Sequence, residues 1–299
     1  MLLLPELVAT QDGLLTRSQA LAAGMSDAAL RHAIRPGGPW QRLAPGLYAT
    51  FTGPLGPRQR VRAALLHGGP DAVLSGTYAC RAHGLRYVPT LEPPLVLVPP
   101  NVRARSNGLA RVHRTTRQAT PREVAGVSVA AIERAVLDTA ALTPSLQDVR
   151  ALVCESVQRR LTVAERLADV LDGAPRRGSR VARRAIADVS AGCRSAPECE
   201  LRDLLRMSRL LPEARWNTPL PDVPDVVPDA WIEQARLVLE VDSVEHHAYG
   251  LAPEHTQRRQ ARITAAGWTV LPIGPRRIRR EPQVLLAEVE AAYRAGLAR

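Results

Sequence analysis

Residues 237–247, LVLEVDSVEHH, constrain this chain more than any other stretch. Leu237, Val238 and Leu239 read as a short buried strand, and a strand turns successive side chains to opposite faces. Glu240 and Asp242, two apart, therefore fall on one face at the strand's end. Upstream, VVPDAWI reads as a second extended segment, and pairing the two brings Asp229 to the same place. Two or three converging carboxylates suit a hard divalent cation, Mg²⁺ or in its place Mn²⁺, so Asp229, Glu240 and Asp242 are the candidate metal ligands. His246 and His247 follow, and a histidine titrates near enough to neutral pH to serve as general base or acid. The competing reading is a solvated strand end with surface histidines. The combination of Pro228-Asp229, Glu240-x-Asp242 and the histidine pair favours the functional one.

The chain has 299 residues, so two or three domains are expected, and apolar residues at 45% suffice to build their cores. Its formal net charge of +11 points to an anionic partner, with nucleic acid first among the candidates. Lysine is absent and all 40 basic residues are arginine, which excludes any mechanism built on a catalytic lysine. Cys80, Cys154, Cys193 and Cys199 are widely spaced with no CxxC pair, so they read as reduced packing thiols rather than a zinc site. Met1-Leu-Leu-Leu-Pro does not read as a secretory leader, and no apolar run approaches the roughly 20 residues needed to span a bilayer. The expectation is a cytoplasmic protein with no membrane association.

Residues 5–50 read as three short helices and a hairpin. Asp12-Gly13 ends the first helix, Thr16 caps the second, and Gly24 stops it. Ser26 caps the third, DAALRHAIRPG, which Pro36-Gly37-Gly38 ends. WQRLAPGLYAT then alternates about Pro45-Gly46 as a β-hairpin. This is the outline of a winged helix-turn-helix over residues 1–52. Arg31, His32 and Arg35 would face a DNA major groove and Arg42 would lie near the wing; the alternative is a helical interaction domain with solvated arginines. The phrases GLLTRSQALAAGMSDAALRHAI and WQRLAPGLYAT resemble the N-terminal domain of AbiEi-type antitoxins. That resemblance implies DNA binding, often at the promoter of the protein's own operon, and a cognate toxin protein as a second partner.

Residues 53–172 read as an α+β middle domain. It has a helix at 58–67, strands at PLVLVP, LARVHR and 127–129, and a strand-then-helix in AVLSGTYAC. Three helices come after these, the first with Ile132, Val136 and Ala140 on its inner side. His83, His113, Glu133 and Asp138 are scattered without metal-ligand spacing and read as scaffold. The order of elements again resembles the middle region of AbiEi-like proteins. Residues 173–194, with Arg176, Arg177, Arg180, Arg183 and Arg184, read as a basic linker running into a short basic helix that touches phosphates; the alternative is a solvated, charged linker.

From Ser195 a second α/β pattern begins. Ser195 caps a helix, PECELRDLLRMSRLL, with Glu198 near its start and Leu201, Leu204, Leu205 and Leu211 facing a core. Next are two strands, a helix with Arg258, Arg259 and Arg262 on or near one face, the strand WTVLPI, a loop holding Arg276, Arg277, Arg279 and Arg280, and a last helix. The arrangement expected over residues 195–299 is an α/β sandwich around a small mixed sheet.

SAPECELRDLL, VVPDAWI, LVLEVDSVEHH and AAGWTVLPI resemble the DUF559 group, relatives of the very-short-patch-repair endonucleases within the PD-(D/E)XK nucleases. The resemblance implies a restriction-endonuclease-like fold with Glu198 as the first-helix acid, Asp229 as the metal-binding aspartate and Glu240 opening the E-x-K-like pair. Asp242 stands where the family lysine usually stands; an aspartate cannot stabilise growing negative charge, which leaves His246 or His247 for proton transfer. Arg258, Arg259 and Arg262 would bind flanking phosphates or form a solvated basic face. Two functions are open. One is a Mg²⁺-dependent endonuclease hydrolysing DNA phosphodiesters in repair or defence. The other is an AbiEi-type antitoxin and transcriptional regulator with an inactive nuclease fold.

Overall fold

The computed structural model describes residues 3–117, 121–174, 178–241 and 252–299. The architecture is α/β, with mixed sheets, and the chain divides into two compact units. The first comprises Met1–Pro144 and Asp169–Val181; the second comprises Ser145–Ala168 and Ala182–Arg299.

The first unit begins α1 (Leu4–Thr10), β1 (Leu14–Thr16), α2 (Arg17–Ala22), α3 (Asp27–Ala33), β2 (Gln41–Ala44) and β3 (Leu47–Ala49). Thr16 caps α2 by accepting from the Gln19 backbone N–H, and Ser26 caps α3 through Ala29, as the sequence implies. The hairpin forms as expected, and β1 was not anticipated: it joins the hairpin in an antiparallel sheet ordered β1-β3-β2. Three residues are too few for the alternating pattern to register.

The N-terminal segment shares a core with the next helix, α4 (Pro57–Gly68). Leu14, Leu47 and Ala49 pack with Ala63 of α4, so one face of residues 1–52 is covered by that helix. Next come β4 (Val73–Ser75), α5 (Gly76–Ala82), β5 (Leu95–Val98), β6 (Arg111–Arg114), β7 (Arg122–Val124), β8 (Val127–Val129) and α6 (Ile132–Leu142). They build a five-stranded mixed sheet ordered β6-β5-β4-β8-β7. Two of the four residues singled out there make structural bonds. His83 Nε2 lies 2.8 Å from the Ala130 carbonyl, and Asp138 accepts from Ser75 Oγ and Arg134.

Three helices lead into the second unit: α7 (Leu146–Gln158), α8 (Ala164–Asp172) and α9 (Arg180–Ser190). Helix α9 lies where a short basic helix was one of the two readings, and it buries Ala182, Ala185, Ile186 and Asp188. Arg150 on α7 donates to Asp188 at 2.8 Å and to Asp203 at 2.5 Å, and Arg184 also pairs with Asp203. Arg184 therefore serves a protein carboxylate, while Arg176 and Arg177 lie outside the described residues.

The rest of this unit is α10 (Ala196–Leu205), β9 (Arg215–Trp216), β10 (Ala230–Ile232), β11 (Leu237–Val241), α11 (Ala252–Ala265), β12 (Thr269–Ile273), α12 (Pro275–Arg280) and α13 (Pro282–Leu297). The sheet runs β12-β11-β10-β9; β9, β10 and β11 are antiparallel, and β11 pairs with β12 in parallel across the α11 crossover. Alternation along β11 builds both faces. Leu237 and Leu239 enter a core with Leu201 of α10 and Leu285 of α13, whereas Val238 joins Trp231, Ile263 and Trp268 beneath α11. Gly296 seats α13 on the turn before β11, where a Cβ would lie 2.2 Å from the Ala235 carbonyl oxygen.

Two expectations are corrected. Arg276, Arg277, Arg279 and Arg280 lie on helix α12, not a loop; Pro275 starts that helix and buried Ile278 holds it to the core. Helix α10 stops at Leu205, so Leu211 reaches the core from the segment beyond it. All four cysteines are buried thiols, and Cys154, Cys193 and Cys199 share one core. A hydrogen bond with Cys199 and burial push the Cys193 thiol above the ordinary range, and a bond with Cys154 and burial do the same for Cys199, which favours the protonated thiols. Among the described residues, no helix is long and apolar enough to cross a membrane.

Candidate active site

Residues 228–241 place two carboxylates at one end of the sheet. The register pairs Ala230 with Leu239, so one further step sets Asp229, just before β10, across from Glu240 on β11. Asp229 Oδ2 accepts from the Val241 backbone N–H at 2.7 Å, which ties the aspartate to the strand end. Its backbone carbonyl accepts from Asn217 N at 3.0 Å. Glu240 is buried at 8% exposure, beneath α11.

A guanidinium meets that glutamate. Arg259 Nη1 of α11 lies 2.9 Å from Glu240 Oε1, and Nη2 donates to the Val227 carbonyl at 2.6 Å. The angle is not that of a hydrogen bond, but the distance makes it an ion pair between a buried carboxylate and a partly buried arginine.

Glu198 enters from the first turn of α10. Ser195 Oγ caps the helix by accepting from Glu198 N, and donates to Glu198 Oε1 at 2.7 Å. Glu198 Oε2 accepts from Arg194 N at 2.9 Å and Asn217 Nδ2 at 2.7 Å. Burial pushes the Glu198 carboxyl above its ordinary range and the charge on Asp229 adds to this, while these three hydrogen bonds pull the other way. Glu198 and Asp229 are thus electrostatic neighbours, bridged by Asn217.

The other anticipated residues divide three ways. Arg262 pairs with exposed Asp225 at 2.6 Å and holds the Asp225 carboxyl below its ordinary range; Arg258 is exposed. The single basic face expected on α11 is thus split, with Arg259 turned inward. Asp242, His246 and His247 lie outside the described residues. In the first unit Arg31, His32, Arg35 and Arg42 are all exposed, with Arg35 Nη1 3.2 Å from His32 Nδ1.

Sequence reasoning missed Ser195 and Asn217 as the hydrogen-bonding cradle of Glu198, and Arg259 as the partner of Glu240. The one signal at Asn217 was its residue type, because asparagine tolerates the φ of 51° that it adopts. Among the described residues, no group of three or more His, Cys, Asp or Glu is arranged to hold a metal ion. No protein-family model matches the chain, and no curated protein matches it.

Proposed function

We propose that this chain is a cytoplasmic DNA-binding protein whose second unit is a Mg²⁺-dependent endonuclease of the PD-(D/E)XK type, acting in DNA repair or defence. The observation that carries the reading is the juxtaposition of Asp229 and buried Glu240 at a strand end, with Glu198 behind them. The order helix, three antiparallel strands, helix, parallel strand in α10 to β12 agrees with that fold. Two carboxylates fit the ion, because Mg²⁺ is often held by one or two of them and completes its octahedron with waters and substrate phosphate oxygens.

Asp229 and Glu240 would hold the ion, which when bound lowers the pKa of a coordinated water and offsets charge on the scissile phosphate. The Val241 N–H fixes one oxygen of Asp229 and so sets the direction of the carboxylate. Glu198, kept in place by Ser195, Arg194 and Asn217, helps fix the Asn217 segment that bonds the Asp229 backbone. Arg258 faces solvent on α11, where it can meet a flanking phosphate. Asp242 would supply a third ligand, and His246 and His247 would carry protons.

In the first unit the order α1-β1-α2-α3-β2-β3 and the sheet order β1-β3-β2 support a winged helix-turn-helix. Arg31, His32 and Arg35 on and just after α3, with Arg42 on the hairpin, would then contact DNA. A second reading, an AbiEi-type regulator with an inactive nuclease fold and a cognate toxin as partner, is favoured by one observation: Arg259 already neutralises Glu240.

The experiment is cleavage of plasmid and short duplexes in Mg²⁺ or Mn²⁺ by the wild type and by an Asp229→Ala, Glu240→Ala double variant. Metal-dependent cutting that the variant loses supports the nuclease. No cutting, with specific binding upstream of its own gene, leaves the regulator.

A further inference from the structure

A second site lies in the same unit, built by the end of α10 and the segment leading into β9. Arg202, Leu205, Arg206, Leu211, Glu213 and Trp216 line a cavity of about 300 Å³, at the lower end of small-ligand pockets. Arg202 is more than nine-tenths buried, and its Nε has no hydrogen-bond partner among the described residues. A buried guanidinium with so few bonds is costly, and a stronger acceptor at its Nη atoms would offset that cost.

The acceptor at hand is a poor one. The Nη2 atoms of Arg202 and Arg206 each lie 3.5 Å from the same Glu213 Oε1, longer than a charge-assisted hydrogen bond of about 2.7–2.9 Å. The Glu213 side chain is 73% exposed, so the pairing is weak and reversible. Two guanidinium groups against one carboxylate leave an excess positive charge in the cavity. Leu205, Leu211 and Trp216 supply an apolar wall beside it.

We propose that this cavity binds an organic phosphate monoester. Arg202 and Arg206 clamp the phosphate, and the wall around Trp216 takes the organic body. Glu213 is the resident anion; it swings into solvent when the phosphate arrives. A phosphate monoester carries close to two negative charges at neutral pH and matches two guanidinium groups, whereas a carboxylate matches one. None of these residues is a candidate metal ligand, so the assignment stands apart from the nuclease reading.

The test is calorimetric titration of the full chain with phenyl phosphate, and with benzoate as the singly charged counterpart. Phenyl phosphate is expected to saturate one site and to bind more tightly than benzoate. Glu213→Gln, which removes the competing charge, tightens phenyl phosphate several-fold; a role limited to stability would not do this. Arg206→Gln, at a half-exposed position, weakens it roughly tenfold or more. Any one of three results overturns the assignment. These are no saturable binding of phenyl phosphate to wild type or Glu213→Gln, equal affinity in all three proteins, or tighter binding of benzoate.

Discussion

Arg259 and Glu240 meet at 2.9 Å, a guanidinium from the crossover helix resting on the carboxylate that the sheet delivers. Arg259 and a divalent cation would share the charge of one carboxylate, so the guanidinium weakens metal binding at Glu240. Arg259→Ala should therefore bind Mn²⁺ more tightly than wild type. Without metal it should lose about 1–3 kcal/mol, the cost of leaving a buried charged acceptor without its cation. Chemical denaturation with and without Mn²⁺ checks both parts. A variant as stable as wild type, with unchanged Mn²⁺ affinity, would mean the ion pair is incidental.

Burial raises the Glu198 carboxyl above the ordinary glutamate range, so the folded protein holds this proton more tightly than the unfolded chain. The sign comes from linkage: the contribution is fully present below the unfolded value and is lost as pH rises through the raised folded value. A component of stability should thus decline as pH climbs above the unfolded glutamate value of about 4.3, and Glu198→Ala should lack it. Denaturation midpoints across mildly acidic pH measure the difference. Parallel profiles for the two proteins would contradict the raised carboxyl.

Arg150 ties α7 to α9 and α10 through Asp188 and Asp203, with the Arg150 and Asp188 side chains only 4% and 3% exposed. Arg150→Ala leaves buried Asp188 with only the longer 3.4 Å contact to Arg184 and should cost up to about 3–5 kcal/mol. Urea unfolding of the full chain reads this directly. A loss below about 1 kcal/mol would show that the network is solvated.

Arg31 and Arg35 are exposed on and just after α3, and the DNA-binding reading rests on them. Replacing either by alanine should weaken binding to duplex DNA and reduce the slope of log affinity against log salt by about one if it contacts a phosphate. Fluorescence anisotropy over a salt series measures this. An unchanged slope and affinity in both variants would remove α3 from the interface.

The elements that were legible in the sequence are those with a strong local cause. Thr16, Ser26 and Ser195 cap helices because a side-chain oxygen beside an unsatisfied N–H is a short-range event. The run Leu237–Leu239 and the period of Ile132, Val136 and Ala140 announced β11 and α6 in the same way. What was hidden depends on distant partners. β1 is three residues long and exists because β3 accepts it, and β9 exists because β10 does. A short basic helix at α9 was one of two readings of its stretch, but its anchoring was hidden, because Asp188 bonds Arg150, 38 positions away.

The candidate site divides along the same line. Alternation put Glu240 at the strand end, and Asp229 could meet it only if the two extended segments paired, as the register has them. The turning of Arg259 inward and Arg262 toward Asp225 could not, since 258, 259 and 262 read as one basic stripe. The cradle of Glu198 required Asn217, 19 positions later, to return to the helix start.

The most direct measurement is calorimetric titration of Mn²⁺ into the wild-type chain and into the Asp229→Ala, Glu240→Ala double variant. The predicted result is saturable binding to wild type that the double variant lacks, at matched folding by circular dichroism. Equal binding by both proteins, or none by wild type even with Arg259 replaced by alanine, would contradict a metal site at this strand end.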